Sequence, residues 1–321
     1  MEVRTEPVPA LKPGELLVAT TRTLISTGTE SIVLTKNFTD ENASWANWAR
    51  YPFRAGYLHV GRVLAVGSEV AGWTTGDRVA TRQPHASHVV VDASEAVHVP
   101  ENVSDEEATW MGLGQIVQVG IRAAKHELGD TVAVIGLGLL GQIACQYARV
   151  LGARTIIAID TAPARLEFAR LSGATHVLSM TAAEALESVR AITGGPGVDA
   201  VYDITGNYRV LPTALPLLRN FGRLVMLGTT GSPEKQILCD DLVRRGLQII
   251  GAHAVHAPRF SDNPAVWTTK RMHELFLHYL STRQINLSSL ITHTFAPDDA
   301  PKAYDLLERE RATAMGVIYR W

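Results

Sequence analysis

Only two cysteines, Cys145 and Cys239, occur in the 321 residues of this chain. Two thiols so far apart exclude a disulfide framework and cannot build a four-cysteine zinc lobe. An excess of one charge is missing as well: 30 Lys and Arg stand against 32 Asp and Glu, a formal net charge of −2, and no basic block stands out. Nothing in that balance attracts a polyanion, so neither nucleic acid nor an anionic membrane is an expected partner. No apolar run reaches the length of a membrane-crossing helix, and Met1-Glu2-Val3-Arg4-Thr5-Glu6-Pro7 lacks the charged and apolar regions of a secretory leader. The expected compartment is the cytoplasm. Internal repeats and low-complexity tracts are absent too. The length itself exceeds what one hydrophobic core usually serves, which predicts more than one domain.

What is there centres on Gly136-Leu137-Gly138-Leu139-Leu140-Gly141. The apolar run Thr131–Ile135 before it reads as a buried parallel strand and Gln142–Leu151 after it as a helix, so the glycines occupy a strand-to-helix turn. A second apolar run, Ile156–Ile159, ends in Asp160, about 20 residues past the glycines, as in the dinucleotide-binding fingerprint. Gly136 allows the tight turn, Gly138 lets the backbone approach a pyrophosphate, and Gly141 lets helix pack on strand. The N–H groups of the helix start, at Leu139 and Leu140, face the phosphates. A carboxylate at Asp160 can accept from both ribose hydroxyls and repels a 2′-phosphate, which favours NAD over NADP.

The first hundred or so residues read as a small antiparallel β module, with strands at Glu15–Ala19, Gly61–Val66, Arg78–Ala80 and His88–Val91 and turns at Pro13-Gly14, Gly67-Ser68 and Thr75-Gly76-Asp77. From about Gln115 strands and helices alternate. Thr131–Ile135, Ile156–Ile159, His176–Leu178, Ala200–Tyr202, Leu224–Leu227 and Leu247–Ile250 make six parallel strands of a doubly wound Rossmann sheet. Helices at Thr268–Ser281 and Ala300–Arg309 and strands at Ile291–Thr294 and Gly316–Tyr319 follow.

This order is similar to that of the medium-chain dehydrogenase/reductase superfamily, the alcohol dehydrogenase type. The resemblance rests on Val60-Gly61-Arg62-Val63 with Val66-Gly67, on Gly76-Asp77-Arg78-Val79, on the fingerprint, on Asp199-Ala200-Val201-Tyr202-Asp203 with Thr205-Gly206, and on Gly222-Arg223-Leu224-Val225 leading to Gly228. It implies an α/β chain with a GroES-like antiparallel β catalytic domain over residues 1–114, a Rossmann NAD-binding domain over 115–255, and a return to the catalytic domain over 256–321. Besides the glycines and Asp160, it places Thr27, Leu139, Leu140, Arg165, Thr205, Gly206, Leu227, Gly228 and His253 around the cofactor. Relatives commonly dimerise through the last Rossmann strand, here near Leu247–Ile250, so a homodimer is expected. Where the family's opening strand would stand, Val3-Arg4 leads to Pro7, so this branch is either trimmed or starts upstream. At the other end Ala314-Met315-Gly316-Val317 lacks the basic residue of many relatives, for which Arg320 is the substitute.

Zinc-dependent relatives hold their catalytic metal with a Cys, a His in Gly-His-Glu, and a second Cys. The corresponding residues here are Ser26, Tyr57 and Leu113, which are not zinc ligands, and a zinc-free enzyme is expected. Another group must then meet the substrate oxygen. Tyr57 is the first candidate and His59 the second. If Gly56–Val63 is a strand, the two share a face and can act as a pair, or both are packing residues. By the same resemblance Ser26, Glu30 and Leu113 border the substrate, Glu30 having the alternative of a helix N-terminal charge. Trp45 and Trp48, three apart in Trp45-Ala46-Asn47-Trp48, can stack on a sugar or cyclitol ring or pack into the core. His85 and His88 are three apart in an extended segment, on opposite faces, which disfavours a metal pair. His256, like His253, stands after the sixth strand and either touches substrate or caps a loop.

The leading expectation is an NAD(H)-dependent, zinc-independent dehydrogenase interconverting a secondary alcohol and a ketone on a polyol, sugar or cyclitol. A quinone or enoyl reductase of the same superfamily and a non-catalytic dinucleotide sensor are the alternatives. The loop Ser26-Thr27-Gly28-Thr29-Glu30 resembles that of the bacteriochlorophyllide dehydrogenase branch, which leaves a large ring substrate open.

Overall fold

Residues 2–38 and 44–321 are described by the computed structural model. In chain order the elements are β1 (Glu15–Leu24), α1 (Thr27–Thr35), α2 (Ser44–Trp48), β2 (His59–Val66), β3 (Arg78–Thr81), β4 (His88–Asp92), β5 (Val97–His98), α3 (Asp105–Ala108) and α4 (Met111–Ala123). An alternating stretch follows: β6 (Thr131–Ile135), α5 (Leu139–Val150), β7 (Thr155–Asp160), α6 (Pro163–Leu171), β8 (His176–Ser179), α7 (Leu186–Thr193), β9 (Val198–Asp203), α8 (Leu211–Ala214), β10 (Leu218–Met226), α9 (Asp241–Arg244) and β11 (Gln248–Gly251). The chain closes with α10 (Thr269–Ser281), β12 (Ile291–Phe295), α11 (Ala300–Arg309) and β13 (Gly316–Arg320). No helix among the described residues is long and apolar enough to cross a membrane.

Contacts divide the chain into two compact units. The first comprises Met1–Leu34, Tyr51–Gln115 and Ala257–Trp321, the second Thr35–Arg50 and Ile116–His256. The first unit carries a sheet in the order β12-β13-β1-β2-β3-β5, with β4 also pairing β1. Alternation along β1 sends Leu16 and Val18 to a core shared with Val63, Val79, Val89 and Val91. The sheet is antiparallel except at its C-terminal end, where β12 and β13 run parallel, so the antiparallel reading holds for the module and not for the return. β1 also continues past Ala19 to Leu24. Its second half is a threonine-rich run whose Thr20 and Thr23 are buried by hydrogen bonding rather than by apolar packing, a pattern that hydrophobic alternation does not reveal.

In the second unit all six strands are parallel, in the order β11-β10-β9-β6-β7-β8. β6 is buried along its whole length, as a strand covered by helices on both faces must be. The chain reverses its winding direction between β6 and β9, so the C-terminal ends of these two strands border the crevice in which doubly wound sheets take ligands. β10 begins at Leu218 rather than Leu224, because Phe221 takes a positive φ of 61° and the register with β9 shifts between Leu218 and Arg223.

Candidate functional site

The nucleotide side is built at the ends of β6, β7 and β9. Gly136 leaves β6 at φ 89°, and a Cβ there would lie 2.9 Å from the Thr205 methyl, which places Thr205 against the glycine turn. Thr205 is held in turn by Asp203, whose carboxylate accepts from its N–H at 3.0 Å and its hydroxyl at 2.7 Å. Gly206 and Gly228 are in contact, since a Cβ on Gly228 would stand 2.5 Å from the Gly206 nitrogen, and the N–H groups of Leu227 and Gly228 both donate to the Asp203 carbonyl. α5 starts directly after Gly138, and no side chain caps it. The N–H groups at Leu139, Leu140 and Gly141 are therefore the helix's unmatched donors, ready for an anion. Nothing lies within 4 Å of the place where a Gly138 Cβ would stand, so the approach to these donors is open. These features fit a dinucleotide pyrophosphate.

Asp160 ends β7 and does more than its position promised. One carboxylate oxygen accepts from the Leu137 N–H at 2.7 Å and the other from the Ala162 N–H at 2.9 Å, so the acid ties the glycine turn to the next loop. Arg165 stands 3.7 Å from it. His253 lies beyond β11 on an exposed loop, where its ring nitrogen accepts from the Val255 N–H. His256 receives the His253 N–H in the same turn.

The second cluster lies wholly within the first unit. Ser26, 5 % exposed, and Thr27 open α1, and Glu30 in its first turn is 3 % exposed. The Glu30 carboxylate accepts from the Ser26 N–H at 2.8 Å, from the Tyr304 hydroxyl, and lies 3.2 Å from His85 Nε2. Glu30 is thus both a helix-start charge and the hub of a buried polar network. Burial, with Glu30 adding to it, pushes the phenols of Tyr304 and Tyr319 up. His85 and His88 are separated by function: His85 meets Glu30, and His88 is exposed beside the Ser87 hydroxyl.

Tyr57 precedes β2, which starts only at His59. Gly56, with φ 90°, packs against the ring and backbone of His85, and the His85 N–H donates to the Ala55 carbonyl at 2.9 Å. That loop contact replaces sheet pairing, so the same-face rule does not extend from His59 to Tyr57. The Tyr57 hydroxyl is 2.8 Å from Ser26 Oγ and also bonds Thr29. The Arg82 guanidinium stands over its ring, 5.0 Å from the centroid. Burial pushes the Tyr57 phenol up, against the Ser26 bond and the Arg82 charge, so it remains protonated at neutral pH. His59 is 1 % exposed and has Thr20 Oγ1 at 2.8 Å from Nε2 and Thr81 Oγ1 at 3.1 Å from Nδ1. Both its nitrogens are spent on the sheet.

Burial also pushes the His59 imidazole down to about 3, with His85 contributing. The unfolded chain takes up this proton near the ordinary 6.5, before the folded protein does, so stability is full above that value and falls as pH drops toward 3. Urea unfolding between pH 6.5 and 5 should show about 2 kcal/mol of this loss from His59, and His59→Gln should flatten that part of the slope. An unchanged slope would refute the buried neutral imidazole.

Leu113, on α4, is 2 % exposed. Ser26, Tyr57 and Leu113 do not fit a zinc ion: two protonated hydroxyls bonded to each other and a leucine lack the thiolates or imidazoles of a tetrahedral site. Among the described residues no three His, Cys, Asp or Glu side chains converge as metal ligands. Trp45 and Trp48 meet edge to face at 5.8 Å in the second unit, with Trp48 52 % exposed. Sequence reasoning passed over Arg82, Gln115 and His273, since a lone Arg after Thr81 and two polar residues on helices carry no motif.

A family model described as zinc-binding dehydrogenase matches residues 140–269. An alcohol dehydrogenase of Cupriavidus necator is 32 % identical over 246 residues, covering 75 % of this chain and 63 % of that protein. A sorbitol dehydrogenase of Bacillus subtilis is 31 % identical over 217 residues, covering 57 % of this chain and 61 % of that protein. The chain thus spans less than two thirds of these relatives' length. The solved structure of galactitol-1-phosphate dehydrogenase from Escherichia coli superposes with a TM-score of 0.82 at 20 % identity, covering 100 % of this chain and 96 % of the other.

Proposed function

We propose that the chain is an alcohol dehydrogenase-like member of the medium-chain dehydrogenase/reductase superfamily, as the zinc-binding dehydrogenase match over 140–269 and the 32 % identical alcohol dehydrogenase support, and that it is an NAD(H)-dependent, zinc-independent dehydrogenase interconverting a secondary alcohol and a ketone of a polyol, sugar or cyclitol. The observation that carries this reading is the Tyr57 phenol, held 2.8 Å from Ser26 at the position where zinc-dependent relatives place a metal-binding histidine. Bound at the glycine turn, the nicotinamide would supply or accept the hydride.

In the reducing direction the Tyr57 hydroxyl donates a hydrogen bond to the ketone oxygen. As negative charge builds on that oxygen, the phenol gives up its proton, and the phenolate left behind is held by a hydrogen bond from Ser26 Oγ until a proton from water restores it. The proton moves the other way in oxidation. His59 takes no part, because both its nitrogens are engaged by threonines. Asp160 orders the glycine turn and pairs with Arg165, so a 2′-phosphate would meet a carboxylate whose neighbouring cation is already engaged. That favours NAD. The two thiols are free and separate, which suits the cytoplasm, and the edge strand β11 suits pairing into a homodimer that light scattering would weigh.

The experiment is initial-rate nicotinamide reduction over polyols, cyclitols and simple secondary alcohols, with NAD and NADP compared under a strong chelator. Turnover with NAD that survives chelation is expected. Activity abolished by the chelator and restored by zinc would overturn the metal-free reading, and silence on every alcohol despite measured NADH binding would favour a dinucleotide sensor.

A further inference from the structure

Arg82 follows β3 directly and remains exposed. Other arginines of the same unit are paired with acids, Arg22 with Glu106 at 2.6 Å and Arg78 with Asp105 at 2.5 Å. Arg82 has no such partner among the described residues. Its Nη1 donates to the Gln115 side-chain oxygen at 3.1 Å and its guanidinium lies over the Tyr57 ring. Glu95, a carboxylate whose charge reaches it, is itself paired with Arg259 at 3.0 Å. The Arg82 guanidinium, set over the Tyr57 ring and tied to Gln115, therefore has no carboxylate within ion-pair distance among the described residues.

A second group nearby shows the same imbalance. His273, on α10, is 3 % exposed, and its Nε2 is buried without a hydrogen-bond partner. Burial and the Arg82 charge keep this ring neutral at physiological pH, able to donate one N–H. Gln115, 0 % exposed, fixes one arm of the guanidinium. The Nε and Nη2 edge is left, which is the edge that grips an oxyanion through two parallel hydrogen bonds.

We propose that Arg82 anchors an anionic group of the substrate, a carboxylate or a phosphate, so that the alcohol oxidised beside Tyr57 belongs to a hydroxy acid or a phosphorylated polyol. This rests on the dehydrogenase reading above. The anion fixes one end of the substrate while the carbinol oxygen reaches the Tyr57 hydroxyl, and a neutral polyol lacks that first hold.

Two measurements test it. The first compares kcat/KM for neutral alcohols with that for their phosphates and their carboxylates in the wild type, Arg82→Gln and Arg82→Lys. The Gln variant should lose about 10–100-fold more on the preferred anionic substrate than on its neutral parent, mainly in KM, with Lys restoring part of the loss. Which anion suffers tells carboxylate from phosphate. An equal loss on neutral and anionic substrates, seen in kcat, would overturn the proposal and make Arg82 a tuner of Tyr57. The second titrates inorganic phosphate and malonate calorimetrically into NADH-loaded protein. Binding weakened by Arg82→Gln supports the anion site even if no alcohol is turned over, which would sink only the dehydrogenase reading. Binding absent from the wild type, or unchanged in the variant, would overturn the site.

Discussion

Replacing Tyr57 by phenylalanine is expected to lower kcat by roughly 10²–10⁴-fold, the span typical of losing a positioned general acid, with fold and NADH affinity retained. The ring itself is kept by packing, since it lies close to Gly112 and under Arg82. What the substitution removes is the hydroxyl with its bonds to Ser26 and Thr29, worth about 1 kcal/mol of stability. A loss of rate far beyond that figure is therefore chemical rather than structural. The pH profile gives a second reading. Because burial holds the phenol above its ordinary value of 10, the donor stays loaded across neutral pH, and the reduction rate should decline only in alkali. Single-turnover NADH oxidation by both proteins, with an NADH titration by fluorescence, checks the expectation. A Tyr57→Phe enzyme within about threefold of wild type would remove the phenol from the mechanism.

The sequence carried the nucleotide unit far better than the proton site, and the reason is locality. Gly136, Gly138, Gly141 and Asp160 lie within one strand-turn-helix-strand unit, so spacing alone implied the tether that the Leu137 N–H now makes to Asp160. The central strands of the parallel sheet were legible because they are apolar runs covered on both faces, whereas the edge strands β8 and β11 are only half-buried and were found by their place in the alternation. The proton site is assembled from residues far apart in the chain. Ser26, Tyr57 and Glu30 were reachable only through the family pattern, and Tyr304, which meets Glu30 across 274 positions, carried no signal at all. His59 looked attractive because imidazole titrates near neutrality. Its ring is buried and held between Thr20 and Thr81, polar residues on buried strand faces whose hydroxyls no periodicity marks. Arg82 was silent for a related reason: an arginine declares itself by the acid it lacks, and that absence is visible only in three dimensions.

The glycine turn offers a test in which binding and stability separate. A Cβ on Gly141 would stand 2.1 Å from the Gly136 carbonyl oxygen, a backbone atom that cannot swing aside. Gly141→Ala must therefore push α5 away from the turn, costing about 1–3 kcal/mol of stability as overpacked sites do, and the donors at the helix start move with it. Gly138 is the opposite case. Its φ of −70° suits any residue, and nothing within 4 Å opposes a Cβ. Gly138→Ala should leave stability within about 1 kcal/mol, the gain from a stiffer unfolded chain balancing a poorer helix cap. Yet its methyl would occupy the open approach to the Leu139 and Leu140 N–H groups. Both variants should lose at least about 100-fold in NADH affinity, roughly 2.7 kcal/mol, but only Gly141→Ala should also lower the urea midpoint. Paired NADH titrations and urea melts decide it. A Gly138→Ala protein that is as stable as wild type and binds NADH as well would mean that the pyrophosphate does not lie against this turn, and the assignment of the cofactor to α5 would fall with it.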